Sequence, residues 1–192
     1  RALERWTGLD AYELLAKEAE LVPAGSDGLL FLPYLQGERT PHLDAYARGG
    51  WIGLTAMHDR RHLVRAVFEG VAFSLKDCFA IIQEQGLPLE QVRATGGGAK
   101  SPLWRQIIAD VLGVELVTTN ASEGPALGAA LLAGVANGLY PTIQQACDAT
   151  VCVVERTEPR PAVAHVYAQA YETYRALYPA LKPIISKATP LT

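Results

Sequence analysis

A run of three glycines between a short apolar segment and an amphipathic one is the feature that most limits how this chain can fold. Residues 92–110 read VRATGGGAKSPLWRQIIAD. The apolar start predicts a strand, and the later spacing of apolar residues predicts a helix. Ser101 and Pro102 are the residue types preferred at the N-cap and the first position of a helix. The pattern therefore predicts a strand that passes through a glycine turn directly into a helix, as in an α/β fold.

The glycine turn is also the strongest candidate for a ligand site. Gly96, Gly97 and Gly98 can take positive φ and present backbone without Cβ atoms, so a ligand can approach closely. The following helix directs its free N–H groups and positive dipole end at that ligand, which favours an anion or a polar ring edge. A tight strand-to-helix turn without a ligand explains the same residues, so both interpretations stay open.

Two well-known phosphate-binding motifs do not fit these residues. A Walker loop needs a glycine directly before the Lys-Ser pair, where this chain has Ala99. A Rossmann fingerprint that begins at Gly96 needs glycine or alanine at the position of Ser101. A nucleotide site at this turn would therefore belong to another class.

Composition and charge exclude several functions. The 192 residues suffice for one well-buried domain, and the net charge of −3 gives no basic surface for nucleic acid. The longest apolar run, residues 126–136, is shorter than the roughly 20 residues of a membrane span. Three cysteines without a CxxC pair favour a reducing cytoplasm. We expect no metal site, because His42 and His58 lack a second ligand at metal spacing.

The rest of the chain alternates between helix and strand. Helices are predicted over residues 9–21, 59–85, 101–112, 123–137, 142–149 and 162–181, and strands over 29–32, 92–95 and 114–118. Residues 34–53 contain turn formers and charges without a period, which predicts a long ordered loop. Helix 123–137 is so rich in glycine and alanine that its backbone should lie close to a neighbour. Glu69 lies in an apolar helix and needs a partner if it is buried.

Several segments together resemble a known family. They are GERTP at residues 37–41, RGGWIGLT at 48–55, the HL and AVFEG elements within 62–70, GGGAKSPLWRQIIADVLG at 96–113 and EGPALGAALLA at 123–133. In this order they resemble the C-terminal region of the FGGY carbohydrate kinases. The first and fourth segments are most similar to xylulokinases within the family. The resemblance extends from about Trp6 to Tyr178.

This resemblance implies a fold and a domain organisation. The fold would be the ribonuclease-H-like α/β domain of the superfamily that contains actin, heat-shock chaperone ATPases and sugar kinases, here the second, C-terminal domain only. Residues 1–192 would be the ATP-binding or adenosine-binding domain. The chain begins at Arg1 without an initiator Met, which indicates a piece of a longer chain or a processed N-terminus. The resemblance implies that an N-terminal sugar-binding domain precedes it.

The resemblance also implies site residues. Those expected to contact ATP or ADP are Gly96, Gly97, Gly98, Ala99, Ser101 and Trp104, with Mg²⁺ held through the nucleotide. Trp104 either walls the pocket or belongs to the core, and Lys100 either touches phosphate or is solvated. Glu38 and Arg39 either form an exposed pair or face the interdomain cleft. No catalytic residue is expected in this chain, because the Asp that accepts the sugar proton would lie upstream of Arg1.

The implied activity is transfer of the γ-phosphoryl group of ATP to a sugar hydroxyl. This transfer would convert D-xylulose into D-xylulose 5-phosphate. Ribulose, glycerol and gluconate are alternative substrates, and the isolated chain is expected to be inactive. A nucleotide-binding or dimerisation module without turnover, and a regulatory protein without kinase chemistry, are competing hypotheses. The expected partners are ATP, a small sugar, the N-terminal domain and, as an open alternative, a second copy of the chain. Nucleic acid and membrane are not expected.

Overall fold

The structure, a computed structural model, describes residue 8 and residues 10–86, 91–121 and 124–188. The helices are α1 (Ala11–Glu20), α2 (Arg60–Glu84), α3 (Pro102–Leu112), α4 (Gly124–Ala136), α5 (Ile143–Thr150) and α6 (Ala164–Ala188). The strands are β1 (Leu30–Leu32), β2 (Gly50–Ile52), β3 (Val92–Ala94), β4 (Leu116–Thr119) and β5 (Val153–Thr157). Each predicted helix and strand is confirmed, although α6 runs past its predicted end. The predicted start of α4 at Glu123 lies outside the described residues.

Within the described residues, the strands form two sheets. β1 pairs antiparallel with β2, with Phe31 opposite Trp51. β3 pairs in parallel with β4, with Val92 opposite Leu116, and β4 pairs antiparallel with β5. Because parallel neighbours need a crossover connection, α3 joins β3 to β4. This β3–α3–β4 unit is the predicted α/β arrangement, and it contains the glycine turn.

Two strands contradict the sequence prediction. β2 lies within residues 34–53, which are expected to be loop, and β5 follows α5 where no strand is predicted. β2 has only three residues, too few to show a period of two. β5 is an edge strand with a largely exposed surface, so its apolar residues do not alternate with polar ones. Both strands are held by backbone pairing with an adjacent strand, β2 with β1 and β5 with β4.

The core lies between β1, α2, α3 and α6. Phe73 of α2 is fully buried, and its ring centroid lies 5.3 Å from that of Tyr174 and 6.2 Å from that of Tyr167, both on α6. The Tyr174 hydroxyl donates to the Tyr34 hydroxyl at 3.3 Å. Burial raises the pKa of Tyr34 to about 12. These aromatic contacts attach the last helix to the rest of the domain.

Helix α2 crosses β1 at a direct backbone contact. A Cβ at Gly70 would lie 2.1 Å from the carbonyl oxygen of Phe31, so only glycine permits this approach. The start of the helix is fixed by Asp59, the predicted N-cap, whose carboxylate accepts from the Arg61 N–H at 2.9 Å. The Asp59 N–H donates to the His62 ring at 3.1 Å, which completes a capping box.

The carboxylate of Glu69, on the same helix, is buried and fully engaged. It accepts hydrogen bonds from the N–H of Gly25 (3.0 Å) and the hydroxyl of Ser26 (2.9 Å). It also accepts from Nε of Arg65 (2.7 Å) and from the hydroxyl of Tyr167 (3.0 Å). A buried charge is tolerated when it is paired and hydrogen-bonded. The partner that Glu69 requires is therefore Arg65, one helical turn earlier.

The turn that Glu69 holds has an unusual backbone. Gly25, Ser26, Asp27 and Gly28 all take positive φ, at 84°, 48°, 50° and 88°. Ser and Asp are strained in this region because they carry a Cβ. The two hydrogen bonds that the Glu69 carboxylate accepts from Gly25 and Ser26 offset the strain. The buried charge thus determines how the chain enters β1.

Helix α4 is apolar on all sides and yet mostly exposed. Its 13 residues, GPALGAALLAGVA, contain no charged side chain, and among them Leu131 alone is buried. Leu132 is 63% exposed, and a Cβ at Gly128 would meet nothing within 4 Å. The close neighbour that the sequence predicts is found near the C-terminal end of the helix, where a Cβ at Gly134 would lie 3.3 Å from the Tyr140 ring and α4 packs on α5. Among the described residues no helix is both long and apolar enough to cross a membrane.

Replacing Gly70 by alanine tests the contact between α2 and β1. We expect Gly70→Ala to lower the free energy of unfolding by about 1–3 kcal/mol, because the new methyl group overlaps the Phe31 carbonyl. Urea unfolding followed by circular dichroism measures the change. Gly128→Ala is the matched control. It should raise the stability of this chain by about 0.5–1 kcal/mol, since its methyl group enters open space and alanine favours helix. Equal effects of the two substitutions would contradict the packing described.

Candidate functional site

The glycine turn lies between β3 and α3, as predicted. Gly96 takes a φ of +85°, whereas Gly97 is right-handed with a φ of −61°. Residues Gly98–Lys100 form a single 3₁₀ turn, in which the Ser101 N–H donates to the Gly98 carbonyl at 3.1 Å. Among the three glycines, then, Gly96 alone uses the positive φ that the sequence permits at each position.

The three glycines also differ in what surrounds them. Gly96 and Gly97 are exposed, and a Cβ at either would meet nothing within 4 Å. A Cβ at Gly98 would lie 1.6 Å from Cζ3 of Trp104. At Gly98 the Cβ side is covered by an indole ring, so the bare backbone expected there is not open on that side, and contact of each glycine with a ligand stays a prediction. The open surface is formed by Gly96 and Gly97.

Trp104 forms the back of the turn. Its ring packs against the core cluster, 6.5 Å by centroid from Phe68 of α2, and its other side covers Gly98. The ring thus takes the core position that is one of its two predicted roles. Its Nε1 is buried without a hydrogen-bond partner in the described structure. Buried donors are almost always paired, and this N–H, directly behind the turn, is an exception.

The start of α3 follows the predicted capping pattern. Ser101 is the N-cap, and its Oγ accepts from the Trp104 N–H at 3.4 Å. Pro102 occupies the first turn, and Gly113 closes the helix with a φ of +72°. Lys100 is exposed, which agrees with a solvated lysine. The positive end of the helix dipole therefore lies beside the open glycines, where it favours a polar or anionic group.

Two residues that the sequence analysis did not single out are linked to this turn, Arg105 directly and Glu155 through Arg105. Arg105 of α3 donates from Nη1 to the carbonyl of Ala99 at 2.6 Å, and its Nη2 lies 2.6 Å from Oε2 of Glu155. The spacing of six residues between Ala99 and Arg105 is a usable signal, because it places the arginine one helical turn past the N-cap. Glu155 carries no such signal, since β5 itself is not predicted.

Glu38 and Arg39 lie in the long loop, away from the glycine turn. The Glu38 carboxylate accepts from the Thr40 N–H at 2.7 Å, and its backbone pairs with that of Asp44 at 2.7 and 2.8 Å. Arg39 is exposed. No hydrogen bond or ion pair within the described segments joins either residue to the turn. Their position at an interdomain cleft stays a prediction.

Two cavities lie elsewhere in the described residues. One, of about 350 Å³, lies between the left-handed turn at Gly25 and helix α6. The other, of about 410 Å³, lies beside the first turn of α3 and is lined by Arg65, Leu103 and Arg160 among others. Neither includes the glycine turn.

The histidines considered as ligands make local contacts. His42 stacks on Tyr178 with centroids 4.0 Å apart, and burial lowers the pKa of His42. Nδ1 of His58 accepts from the Thr55 N–H at 3.0 Å. No group of three or more His, Cys, Asp or Glu side chains in the described part of the chain is arranged to hold a metal ion.

Comparisons with known proteins extend this description. The sequence model described as "FGGY family of carbohydrate kinases, C-terminal domain" matches residues 1–137. The xylulose kinase of Staphylococcus epidermidis is 37% identical over 183 residues, which are 95% of this chain and 37% of that protein. The gluconokinase of Bacillus subtilis is 43% identical over 136 residues, which are 70% of this chain and 26% of that protein.

Solved structures agree with the sequence relatives. The ligand-bound xylulose kinase of Lactobacillus acidophilus matches with a TM-score of 0.86 and 33% identity, over 98% of this chain and 39% of that one. This chain thus spans less than two-fifths of each relative compared. Its fold is that of the C-terminal domain of the sugar kinases, within the superfamily of actin and the heat-shock chaperone ATPases. The resemblance seen in the sequence is confirmed, and the chain belongs to the FGGY family of carbohydrate kinases.

Proposed function

We propose that residues 1–192 are the ATP-binding, C-terminal half of an enzyme that transfers the γ-phosphoryl group of ATP to a sugar hydroxyl. The observation that carries the proposal is the open backbone of Gly96 and Gly97 beside the N-terminus of α3. The relatives named xylulose kinase and gluconokinase support kinase chemistry. Among the competing hypotheses, a nucleotide-binding module without turnover describes what we expect of residues 1–192 when they are separated from the rest of the enzyme.

The residues at the turn fit an adenine nucleotide. A flat purine can lie on Gly96 and Gly97, because no side chain blocks either position. The Ser101 hydroxyl oxygen accepts a hydrogen bond from the Trp104 N–H, so the hydroxyl hydrogen can donate to the nucleoside. Ala99 borders this surface, and Trp104 closes it from behind. ATP supplies the phosphoryl group, and Mg²⁺ would be held through its phosphates.

The sugar and the proton acceptor are proposed to lie in sequence that precedes Arg1. The relatives are more than twice as long as this chain, so they have room for a second domain. Phosphoryl transfer depends on positioning and charge stabilisation, and the base has to lie within hydrogen-bond reach of the sugar hydroxyl. The chain by itself is therefore proposed to bind nucleotide and not to turn over sugar.

Helix α4 is proposed to pack against that preceding domain. A helix without charges that exposes Leu132 needs a cover in the complete protein. Its glycines and alanines would allow the covering backbone to come close. Glu38 and Arg39, in the loop after β1, are proposed to face the same interdomain cleft. A second copy of this chain is the competing cover for α4.

D-xylulose is the proposed sugar. The similarity to the S. epidermidis xylulose kinase extends over 95% of the chain, whereas that to the B. subtilis gluconokinase stops at 70%. Gluconate is the alternative that this second relative supports, and ribulose and glycerol stay open. We place the protein in the cytoplasm, where ATP is present and thiols stay reduced. Its cysteines Cys78, Cys147 and Cys152 are free thiols.

Valine in place of Gly97 tests the nucleotide site. We expect Gly97→Val to weaken ADP binding by about 100-fold or more, because the side chain occupies the space left for the purine. Calorimetry on the full-length protein measures the affinity, and circular dichroism should show unchanged helix content. Gly97→Ala should have a smaller effect in the same direction. Gly98→Val is unsuitable, since its side chain would displace Trp104. Unchanged ADP affinity of Gly97→Val would refute this placement of the nucleotide.

The proposed reaction is tested by a coupled ADP-release assay with several sugars. The full-length protein should phosphorylate D-xylulose with a kcat/KM at least about tenfold above that for gluconate, ribulose or glycerol, the difference of one or two specific contacts. Residues 1–192 alone should give no turnover. Preference for gluconate would move the assignment to that sugar. No turnover with any sugar by the full-length protein would favour the regulatory or binding hypothesis.

A further inference from the structure

The glycine turn is contacted by one half-buried arginine. Arg105 reaches back from α3, and its Nη1 donates to the Ala99 carbonyl at 2.6 Å. Its side chain is only 11% exposed. Its Nε is buried without a hydrogen-bond partner in the described structure. A buried donor without an acceptor is unfavourable. The contacts of the two Nη atoms must therefore offset the cost of burying Nε.

The second of those contacts joins the turn to the sheet. Nη2 of Arg105 lies 2.6 Å from Oε2 of Glu155 on β5. Glu155 faces Thr118 across the β4–β5 pair, so its backbone is fixed by the ladder. A planar guanidinium can serve two acceptors in fixed directions, which a lysine cannot. Arg105 therefore connects the Ala99 carbonyl to β5, a strand that lies more than fifty residues after Ala99 in the sequence.

This ion pair is poorly suited to be a stabilising element. The Glu155 side chain is 53% exposed, and ion pairs open to solvent contribute little to stability. The hydrogen bond to Ala99 acts two residues after the open Gly97, where a small shift of the backbone changes the surface offered to a ligand. Its effect should thus fall on ligand affinity more than on folding.

We propose that Arg105 and Glu155 are a positioning pair that holds the backbone at Ala99, and with it the Gly96–Gly97 surface, in the shape that binds the nucleotide. The inference rests on the proposed function of that turn. Arg105 itself does not touch the nucleotide. It acts through the Ala99 carbonyl, and Glu155 orients its guanidinium. Loss of the pair should therefore raise the KM for ATP and leave kcat and the KM for the sugar largely unchanged.

The test uses full-length protein and three substitutions. Arg105→Met keeps the apolar stem and removes the donors, and should weaken ADP binding about five- to tenfold, the size of one lost hydrogen bond. Arg105→Lys should restore part of the affinity through a single contact. Glu155→Gln should weaken binding by about two- to threefold, as expected for a half-exposed partner. The KM for ATP should rise in parallel, with kcat within about twofold of the parent.

A neighbouring ion pair provides the matched control. Arg156, also on β5, contacts Glu115 at 2.8 and 3.0 Å without reaching the turn. Glu115→Gln should leave ADP affinity unchanged. The double variant Arg105→Met with Glu155→Gln should bind ADP no more weakly than Arg105→Met alone, since the two residues act as a unit.

The outcomes separate this inference from the proposed function. If Gly97→Val abolishes ADP binding and Arg105→Met binds like the parent, the positioning pair is overturned while the nucleotide site stands. If Gly97→Val binds ADP normally, the proposed function itself fails. If Arg105→Met lowers kcat, raises both KM values and lowers the unfolding midpoint together, its role is general stability, and the positioning role is overturned.

Discussion

The buried carboxylate of Glu69 is the interaction on which the domain depends. It joins three segments that are far apart in the sequence: the left-handed turn at Gly25 and Ser26, helix α2, and helix α6 through Tyr167. An ionised group at 2% exposure is stable only when its hydrogen bonds are satisfied, and Arg65 supplies the compensating charge. Because Gly70 follows directly, the same stretch of helix also determines how closely α2 lies on β1.

The candidate site depends on this scaffold only indirectly. Its surface is a strand-to-helix turn whose front is bare backbone at Gly96 and Gly97 and whose back is the ring of Trp104. Such a surface can support a flat ligand and cannot enclose it. The face of helix α4 that includes Leu132 is a second exposed apolar surface of the domain.

The local elements of the site could be predicted from the sequence because local chemistry determines them. Ser101 caps α3 and Gly113 ends it, as their residue types indicate. Gly98 could not be assigned in the same way. Its place in a glycine run predicts open space, whereas the ring of Trp104, six residues later, fills that space. Whether a missing Cβ leaves room for a ligand or for a neighbouring side chain depends on packing, which residue type does not report.

The sequence by itself determined the helices, the β3–α3–β4 unit, the family and the position of the glycine turn, since periodicity, capping and motif order are properties of short segments. Only the tertiary structure decided that β2 and β5 are strands, because each is held by hydrogen bonds to a partner strand. It also brought Glu155 to Arg105 and Glu69 to the turn at Gly25. These contacts join residues at least forty positions apart, and no local preference of either residue specifies the other.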